Sequence, residues 1–478
     1  MAGIVGTSTT SYPSNLGRLN AVTPLSRDTP AAPVRIVHLG LGSFFRAHQA
    51  WYTAAAPDAG RWGIAAFTGR SARLADELSA QDGLYTLIVR GADRDDFTVL
   101  GAVSAAYPGT DVETFCVLLS RPEVAVVTLT VTEAGYPRGR DGELAVDDPV
   151  VRTDGQIVQG TATGDVHSVP GRLVAGLAAR KAAGAGGLAI VCCDNLPDNG
   201  AMTERLVTGL AELADPALAG WIRANVSFVT TMVDRITPAT TAEDIATVAA
   251  ATGRADTVPV VTEPFTEWVL QGDFPAGRPR WEDAGARFVD DVAPHEQRKL
   301  WLLNGGHSLL AYAASALGHS TVAEAVADGR CRQWLAEWWD EAAARLPLPA
   351  AEVADYRAAL LDRWANPRIR HMLAQIATDG SQKIAVRILP VLRLGRAGGE
   401  LPPGAIRVLA AWVEHLRGAG APVKDAAADT FVAAAAGTAE QAARAVLGLL
   451  DGALGADDDL IGAVATAMTG LRNTSAPS

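Results

Sequence analysis

Residues 34–49, VRIVHLGLGSFFRAHQ, decide the predicted fold of this chain. The first six residues are a short β-branched run, and Gly40 and Gly42 follow it ahead of a helical pattern. A buried strand that ends in Gly-x-Gly and enters a helix is how nucleotide-binding sheets present backbone N–H groups to a pyrophosphate. Phe45 occupies the position of the third glycine in the usual fingerprint. This stretch alone therefore leaves a plain strand–turn–helix open as the alternative.

Further runs of this kind extend across the first half of the chain. Strands are predicted at residues 62–68, 85–90, 97–103, 124–131, 188–192, 226–233, 259–265 and 288–292, and a helix at residues 170–183. The run VAVVTLTV is continuous, which is typical of a strand buried on both faces of the sheet. Thr132 and Glu133 follow this run, and Asn195 follows the run LAIVC. Open α/β sheets bind ligands at such strand ends, although turn-forming chemistry is an equal interpretation of Asn195.

The pattern becomes helical near residue 290. Helices are predicted at residues 294–315, 331–345, 355–365, 366–377 and 404–417, and along the alanine-rich stretch 426–450. A chain of 478 residues is long enough for two domains. We therefore predict an irregular leader at residues 1–33, an α/β domain at residues 34–290 and a mostly α-helical domain at residues 291–478.

The helical stretch PHEQRKLWLLNGGHSLLAYAAS, residues 294–315, carries three polar side chains on an apolar background: Lys299, Asn304 and His307. On a continuous helix Lys299 and His307 lie about 80° apart around the axis, so all three side chains can reach one pocket. A lysine ahead of an apolar run loses solvation, which lowers its pKa toward the value that a general base needs. A helix with a snorkelling lysine and a half-buried histidine is the alternative interpretation.

Composition narrows the classes of partner and site. A net charge of −12 and a pI near 5.2 give no basic stripe, so nucleic acid is not an expected partner. No apolar run approaches the ~20 residues of a membrane span. The N-terminus lacks the pattern of a secretion signal, so we expect a cytoplasmic protein without a membrane partner. The four cysteines and eight histidines form no metal-binding spacing, and no metal site is predicted.

The segment after the second predicted strand departs from the usual NAD pattern. NAD-binding domains usually carry an acid there for the ribose hydroxyls. Here Gly69 is followed by Arg70, and Arg73 comes three residues later. Two arginines without an acid suit a 2′-phosphate, so NADP stays open beside NAD as the cofactor.

Seven blocks in order along the chain are similar to one family. They are IVHLGLGSFFRAHQAWYT (36–53), TLTVTEAGY (128–136), CCDNLPDNG (192–200), SFVTTMVDRITP (227–238), EPFTEWVLQGDFPAGRPRW (263–281), KLWLLNGGHSLLAY (299–312) and DGSQKI (379–384). In these blocks the chain resembles the polyol-specific long-chain dehydrogenase/reductases, the group of mannitol 2-dehydrogenase and fructuronate reductase. The resemblance implies a Rossmann-type first domain, a helical second domain and a site in the cleft between them. It also implies zinc-independent hydride transfer between NAD(H) and a sugar carbon.

The resemblance further implies a role for each matching residue. Lys299 would be the general base that takes the alcohol proton as hydride leaves the carbon. Asn195 and Asn304 would donate hydrogen bonds to the oxygen that becomes negative in reduction. His307 would orient the substrate, and Lys383 would bind substrate oxygens from the second domain.

Two acids and a group of residues near the first strand complete the implied site. Glu133 and Glu296 would tune the lysine or gate its proton exchange. The residues implied around the cofactor are Gly40, Gly42, Phe44, Arg46 and Thr132.

The sequence around Lys383 favours an acid substrate. Residues 375–383, QIATDGSQK, and residues 366–371, NPRIRH, are more similar to fructuronate reductases than to mannitol-type members. A sugar acid needs a cation for its carboxylate, and Arg370 or Lys383 supplies one. We predict interconversion of D-mannonate and D-fructuronate, with mannitol/fructose or arabinitol/xylulose as alternatives, by a monomer or small homo-oligomer. A nucleotide-binding sensor that lost the chemistry is the non-enzyme alternative.

Overall fold

The structure is a computed structural model that describes residues 22–69, 71–139 and 141–475. Residues 1–21 of the predicted leader and Arg70, named above for a 2′-phosphate, lie outside these ranges. None of the helices in the described ranges is both long and apolar enough to cross a membrane.

The strands in the described ranges all lie within residues 23–288, the part of the molecule called the first half below. They are β1 (Thr23–Pro24), β2 (Val34–Leu39), β3 (Gly63–Phe67), β4 (Tyr85–Arg90), β5 (Asp95–Leu100), β6 (Val103–Tyr107), β7 (Val126–Leu129), β8 (Leu188–Cys192), β9 (Val226–Asp234), β10 (Arg254–Ala255), β11 (Val260–Thr262), β12 (Glu267–Gln271) and β13 (Arg287–Phe288). The predicted strand at residues 97–103 is in fact two strands, because β5 ends before Gly101 and β6 begins in another sheet.

Eight strands form the main sheet in the order β13-β12-β9-β8-β7-β2-β3-β6. The six strands from β9 to β6 in this order are parallel, and they have the order of a doubly wound dinucleotide-binding sheet. Strand β12 adds an antiparallel edge beside β9, and β13 pairs with β12. The winding reverses between β2 and β7, so the crevice outside the carboxyl ends of these two strands is the position where such sheets bind ligands.

The sheet is buried on both faces, as the continuous apolar runs predicted. In β8, Leu188, Ile190 and Cys192 enter the core on one face, while Ala189 and Val191 enter the core on the other. Period-two alternation between two buried cores is what a central parallel strand requires.

Helices cover the sheet and build the second half. In the first half they are α1 (Ser43–Ala47), α2 (Gln49–Ala55), α3 (Arg73–Ser79), α4 (Val112–Leu119), α5 (Pro149–Gln159), α6 (Val169–Ala183), α7 (Asn199–Ala214), α8 (Pro216–Asn225) and α9 (Ala242–Thr252). In the second half they are α10 (Ala293–Arg298), α11 (Gly306–Leu309), α12 (Val322–Ala327), α13 (Gly329–Ala343), α14 (Ala350–Trp364), α15 (Leu373–Ile376), α16 (Gly380–Arg387), α17 (Leu389–Ala397), α18 (Pro403–Leu416), α19 (Ala428–Ala434), α20 (Ala439–Leu450), α21 (Gly452–Gly455) and α22 (Asp458–Ser475). Two π-helical segments, Lys299–Gly305 and Leu310–Ala314, flank α11.

The two halves have separate hydrophobic cores. The large core of the second half runs from Trp301 to Met468, and the cores on the two faces of the sheet end at Ala286. The predicted fold class, an α/β Rossmann-type first domain with a mostly α-helical second domain, is confirmed. The predicted domain limits remain predictions.

Two predicted helices need correction. Residues 366–372 are not helical, because Pro367 interrupts the pattern and Asn366 donates from Nδ2 to the carbonyl of Arg90 at 3.0 Å. The alanine-rich stretch is broken at Gly437, whose φ of +86° ends one helix before the next begins.

Candidate active site

The chain turns sharply at Gly40, directly after β2. Its φ is +107°, and a Cβ there would lie 2.0 Å from the carbonyl oxygen of Thr130 at the end of β7. Only glycine permits this close approach. The turn places the backbone of Gly40 and Gly42 at the crevice where doubly wound sheets bind a pyrophosphate.

Phe45 occupies the position of the third glycine in the usual fingerprint. Its ring stacks on the imidazole of His38 with 3.5 Å between ring centroids and 10° between planes. His38 is buried within β2, where burial lowers its pKa to about 3, and it shares hydrogen bonds with the hydroxyls of Thr128 and Thr130. An aromatic pair therefore fills the space beneath the turn.

The other residues predicted around the cofactor differ in their exposure. Phe44 is partly buried and stacks on His48, and Thr132 is exposed just after β7. Arg46 is buried, and its guanidinium donates to the carbonyls of Gly42 and Val258. An arginine held in this way stabilises the turn, and its place beside the cofactor stays a prediction.

Lys299 is tied to the end of the sheet through its ammonium group. Its Nζ donates to Oδ1 of Asn195 and to the carbonyl of Val233, both at 2.7 Å. Burial lowers the pKa of Lys299, and the charge of Asp234 opposes this shift. These two bonds use two of the three positions on Nζ. The third position is an N–H in the charged lysine and a lone pair in the neutral one, and it remains available to a substrate.

The same hydrogen bond orients the Asn195 amide. Because Oδ1 accepts from Lys299, Nδ2 is left to donate elsewhere. The loop is held by Asp194, which accepts from Val131 N–H and from the hydroxyl of Tyr136. Asn199 adds a bond from Nδ2 to the Asp194 carbonyl at 2.9 Å.

The π-helical segment Lys299–Gly305 changes the relation between Lys299 and Asn304. On an α-helix, residues five apart lie about 140° apart around the axis. In a π-helix the hydrogen bonds join residues five apart, so such residues lie nearly one above the other. The structure therefore brings Lys299 and Asn304 to the same side of the helix.

Two tryptophans of α13 stabilise this π-helical segment. Trp338 and Trp339 donate from Nε1 to the carbonyls of Trp301 and Leu302, each at 2.9 Å. Gly305 makes room for them, because a Cβ there would lie 2.7 Å from the Trp338 ring.

A cavity of about 240 Å³ adjoins this segment in the second domain. Its lining residues are Asn304, His307, His371, Gln375, Ile376, Lys383 and Arg387. Three predicted site residues, Asn304, His307 and Lys383, are therefore brought together. Arg370 is not among the lining residues, and its side chain is exposed on the non-helical segment before α15.

Both histidines of the cavity have a lowered pKa. Burial holds the pKa of His307 well below its ordinary value, and the charges of His371 and Arg387 lower it further. Burial also lowers the pKa of His371, whose ring lies 4.8 Å from that of His307. Nε2 of His307 has no hydrogen-bond partner among the described residues.

The two acids predicted to tune the lysine differ in position. Burial raises the pKa of Glu296, one turn before Lys299, to about 7, and its charge raises the pKa of Lys299. Glu133 is exposed and forms an ion pair with Arg138. The raised pKa of Glu296 and its effect on Lys299 support a role in tuning, while the role of Glu133 stays a prediction.

Behind Lys299, Arg363 of α14 binds two buried acids of the first domain. It donates to both carboxylate oxygens of Asp234 at 2.8 Å and to those of Glu263 at 2.8 and 2.9 Å. Burial alone would raise the pKa of Asp234, but Arg363 lowers it below its usual value. Asp234 adjoins Val233, whose carbonyl accepts from Lys299, so Arg363 fixes the strand end that positions the base.

Sequence reasoning missed four of these residues: Asp234, Arg363, His371 and Arg387. Asp234 adjoins Arg235 in the sequence, but its partner is Arg363, which lies 129 residues further along the chain. Arg387 ends the helix that carries Lys383 one turn earlier, and this i,i+4 spacing is the signal that could have identified it.

The chain is similar to known proteins of one family along most of its length. The model of the mannitol dehydrogenase Rossmann domain matches residues 34–283, and that of the mannitol dehydrogenase C-terminal domain matches residues 291–472. The D-mannonate oxidoreductase of Escherichia coli is 38% identical over 395 residues, which are 80% of each protein. The mannitol 2-dehydrogenase of Cereibacter sphaeroides is 36% identical over 406 residues, which are 83% of this chain and 84% of that protein.

A solved structure is similar along nearly the whole chain. It is the Pseudomonas fluorescens mannitol 2-dehydrogenase in a ternary complex with NAD and D-mannitol, with a TM-score of 0.77 and 33% identity. The similarity covers 94% of this chain and 93% of that one.

Proposed function

The chain belongs to the mannitol dehydrogenase family, and on this premise we propose that it interconverts D-mannonate and D-fructuronate with NAD(H). As a member of this family it is an NAD-dependent oxidoreductase that acts on CH–OH groups of polyols or sugar acids. The choice of a sugar acid is the part that we propose.

The crevice suits the cofactor. Gly40 leaves no side chain between the turn and β7, so the backbone of residues 40–42 is accessible to a pyrophosphate. NAD bound there supplies or accepts the hydride. The segment after β3 lacks an acid for the ribose, so NADPH belongs in the same assays.

In the direction of oxidation, neutral Lys299 takes the proton of the alcohol at Nζ. Asn195 and Asn304 donate from their amides to the same oxygen, which carries negative charge as the proton leaves. Each such donor contributes roughly 3 kcal/mol to lowering the barrier. In reduction the same ammonium returns the proton to the oxygen.

One observation carries the choice of an acid substrate. The lining of the cavity beside Asn304 includes two cations, Lys383 and Arg387, and no acidic residue among the described ones. A carboxylate can pair with both cations and a neutral polyol cannot. The charges of Asp379 and Asp425 act on Lys383, so Arg387 is the cation that no carboxylate offsets in the described ranges.

The test measures the consumption of NADH and, in parallel, of NADPH with D-fructuronate, D-fructose and D-xylulose. We expect D-fructuronate to be the best substrate and Lys299→Ala to lose nearly all activity. Lys181→Ala is the matched control, because Lys181 is a surface residue paired with Asp215.

Other outcomes separate the alternatives. Turnover of fructose or xylulose without fructuronate would exclude the acid substrate and keep the reaction class. Binding of NADH without turnover of any of these substrates would favour a sensor.

A further inference from the structure

Arg387 is a half-buried cation, and few protein groups accept its hydrogens. Burial lowers its pKa to about 10, and no carboxylate offsets this shift. Its hydrogen bonds to described residues both come from Nη1, to the carbonyl of Asn304 at 3.3 Å and to Oγ of Ser308 at 3.2 Å. Nε and Nη2 are left without a partner in the described ranges.

Arg180, a buried arginine with a structural role, is a useful comparison for Arg387. It also lacks an acidic partner, yet all three of its nitrogens donate, to five carbonyls in total. Arg387 keeps two of its three nitrogens free, and it lines the cavity beside Lys383. Neither nitrogen is among the fully buried atoms that lack a partner in the described ranges, so both are open to a ligand in the cavity.

Arg387 is hydrogen-bonded to the π-helical segment that carries Lys299 and Asn304. Nη1 donates to the Asn304 carbonyl, and the Asn304 amide is one of the groups proposed to bind the reacting oxygen. A carboxylate bound by Arg387 is therefore held at a fixed position relative to Asn304. In D-mannonate the carboxylate lies at one end of the carbon chain and the reacting carbon lies next to the other end.

We propose that Arg387 is the specificity-determining residue that binds the substrate carboxylate through Nε and Nη2, with Lys383 as the second cation. This inference rests on the proposed function and deepens it. A guanidinium presents its N–H groups as a planar fork that matches a carboxylate, whereas an ammonium does not. Arg387→Lys should therefore keep attraction for an anion and lose part of the selectivity.

The experiment compares D-mannonate with D-mannitol, which has a CH₂OH group in place of the carboxylate. For Arg387→Gln we expect the ratio of kcat/KM for mannonate to that for mannitol to fall about 10- to 100-fold. The loss should lie mainly in KM for mannonate, because the contact is remote from the reacting carbon. Arg393→Gln is the matched control, since it removes an arginine paired with Asp451 at the surface.

Calorimetric titration of the NADH-loaded enzyme with D-mannonate tests binding independently of turnover. Weaker binding in Arg387→Gln than in Arg393→Gln supports the assignment. An unchanged affinity and an unchanged kcat/KM ratio overturn it, even if fructuronate is a good substrate. A wild-type enzyme that reduces fructose 6-phosphate but not fructuronate would assign the two cations to a phosphate and overturn the carboxylate site.

Discussion

Lys299 gives up its proton more easily than a lysine in water because the protein replaces most of its solvent. Burial lowers its pKa, and the charges of Asp234, Glu296 and Glu267 each raise it again. The working pKa of the base is thus set by acids whose own charge depends on pH. Of these, Glu296 titrates near neutrality.

We expect Glu296→Gln to move the pH profile of alcohol oxidation to lower pH. The carboxylate is charged above about pH 7 and raises the pKa of Lys299, so its removal lets the amine lose its proton at lower pH. Oxidation requires the neutral amine and reduction requires the ammonium. Because both depend on the pKa of Lys299, the pH profiles of oxidation and of reduction should both move to lower pH. The measurement is log kcat/KM against pH in both directions. Glu133→Gln is the control, and an equal shift in both variants would contradict this assignment.

At this scale the sequence predicted residues by chemical type and spacing. Asn304 and His307 line one cavity, as expected from an apolar helix with polar residues on one side. Lys299, which was expected in the same pocket, is not among the lining residues, and Lys383 was expected from the family resemblance. The roles of Arg46 and Arg370 stay predictions, because the sequence does not tell a buried arginine bound to carbonyls from an exposed one. Arg387 was missed although it follows Lys383 by four residues on the same helix.

The π-helical segment is the element on which the site depends. Its geometry relies on Gly305 and on tryptophans more than thirty residues further along the chain. Apolar spacing predicted a helix here but not its π-helical form, because the indole donors that stabilise it belong to another element.

Gly305→Ala should therefore impair both stability and catalysis. The new Cβ would press on the buried Trp338 ring, at a cost of about 1–3 kcal/mol in the free energy of unfolding. A displacement of the Asn304 amide by about 1 Å would lower kcat roughly 100-fold. Denaturant titration and steady-state kinetics measure the two effects.

Gly220→Ala in α8 is the matched control. No atom lies within 4 Å of its added Cβ, and alanine in an exposed helix should stabilise it by about 0.5–1 kcal/mol. If Gly305→Ala lost stability but kept its kcat, the π-helical segment would have no role in placing the amide.

Across the whole molecule, buried ion pairs join the two cores. Arg363 binds Asp234 and Glu263, and Arg298, just before Lys299, binds Glu267. All three acids come from the first half and both arginines from the second. The change of sequence pattern near residue 290 predicted the division into an α/β and a helical region. It did not predict these contacts between the regions, because each partner alone resembles an ordinary charged residue.

Arg363→Met should destabilise the protein by about 3–5 kcal/mol, because it removes the arginine that binds both buried carboxylates. Arg393→Met removes an exposed ion pair and should cost about 0–1 kcal/mol. Urea unfolding of both variants measures the difference. Equal losses would mean that the buried pairs do not hold the domains together.

The same ion pairs limit the recombination of domains between this chain and its relatives. Its two halves match separate family models, which invites recombination of one half with that of another protein. A helical half from another protein that lacks arginines at these two positions would leave the three acids of the first half, close to Lys299, without these positive partners. Swapped halves should therefore be viable only in combinations that carry over both arginines with their acids, so that the two domains are inherited as one unit.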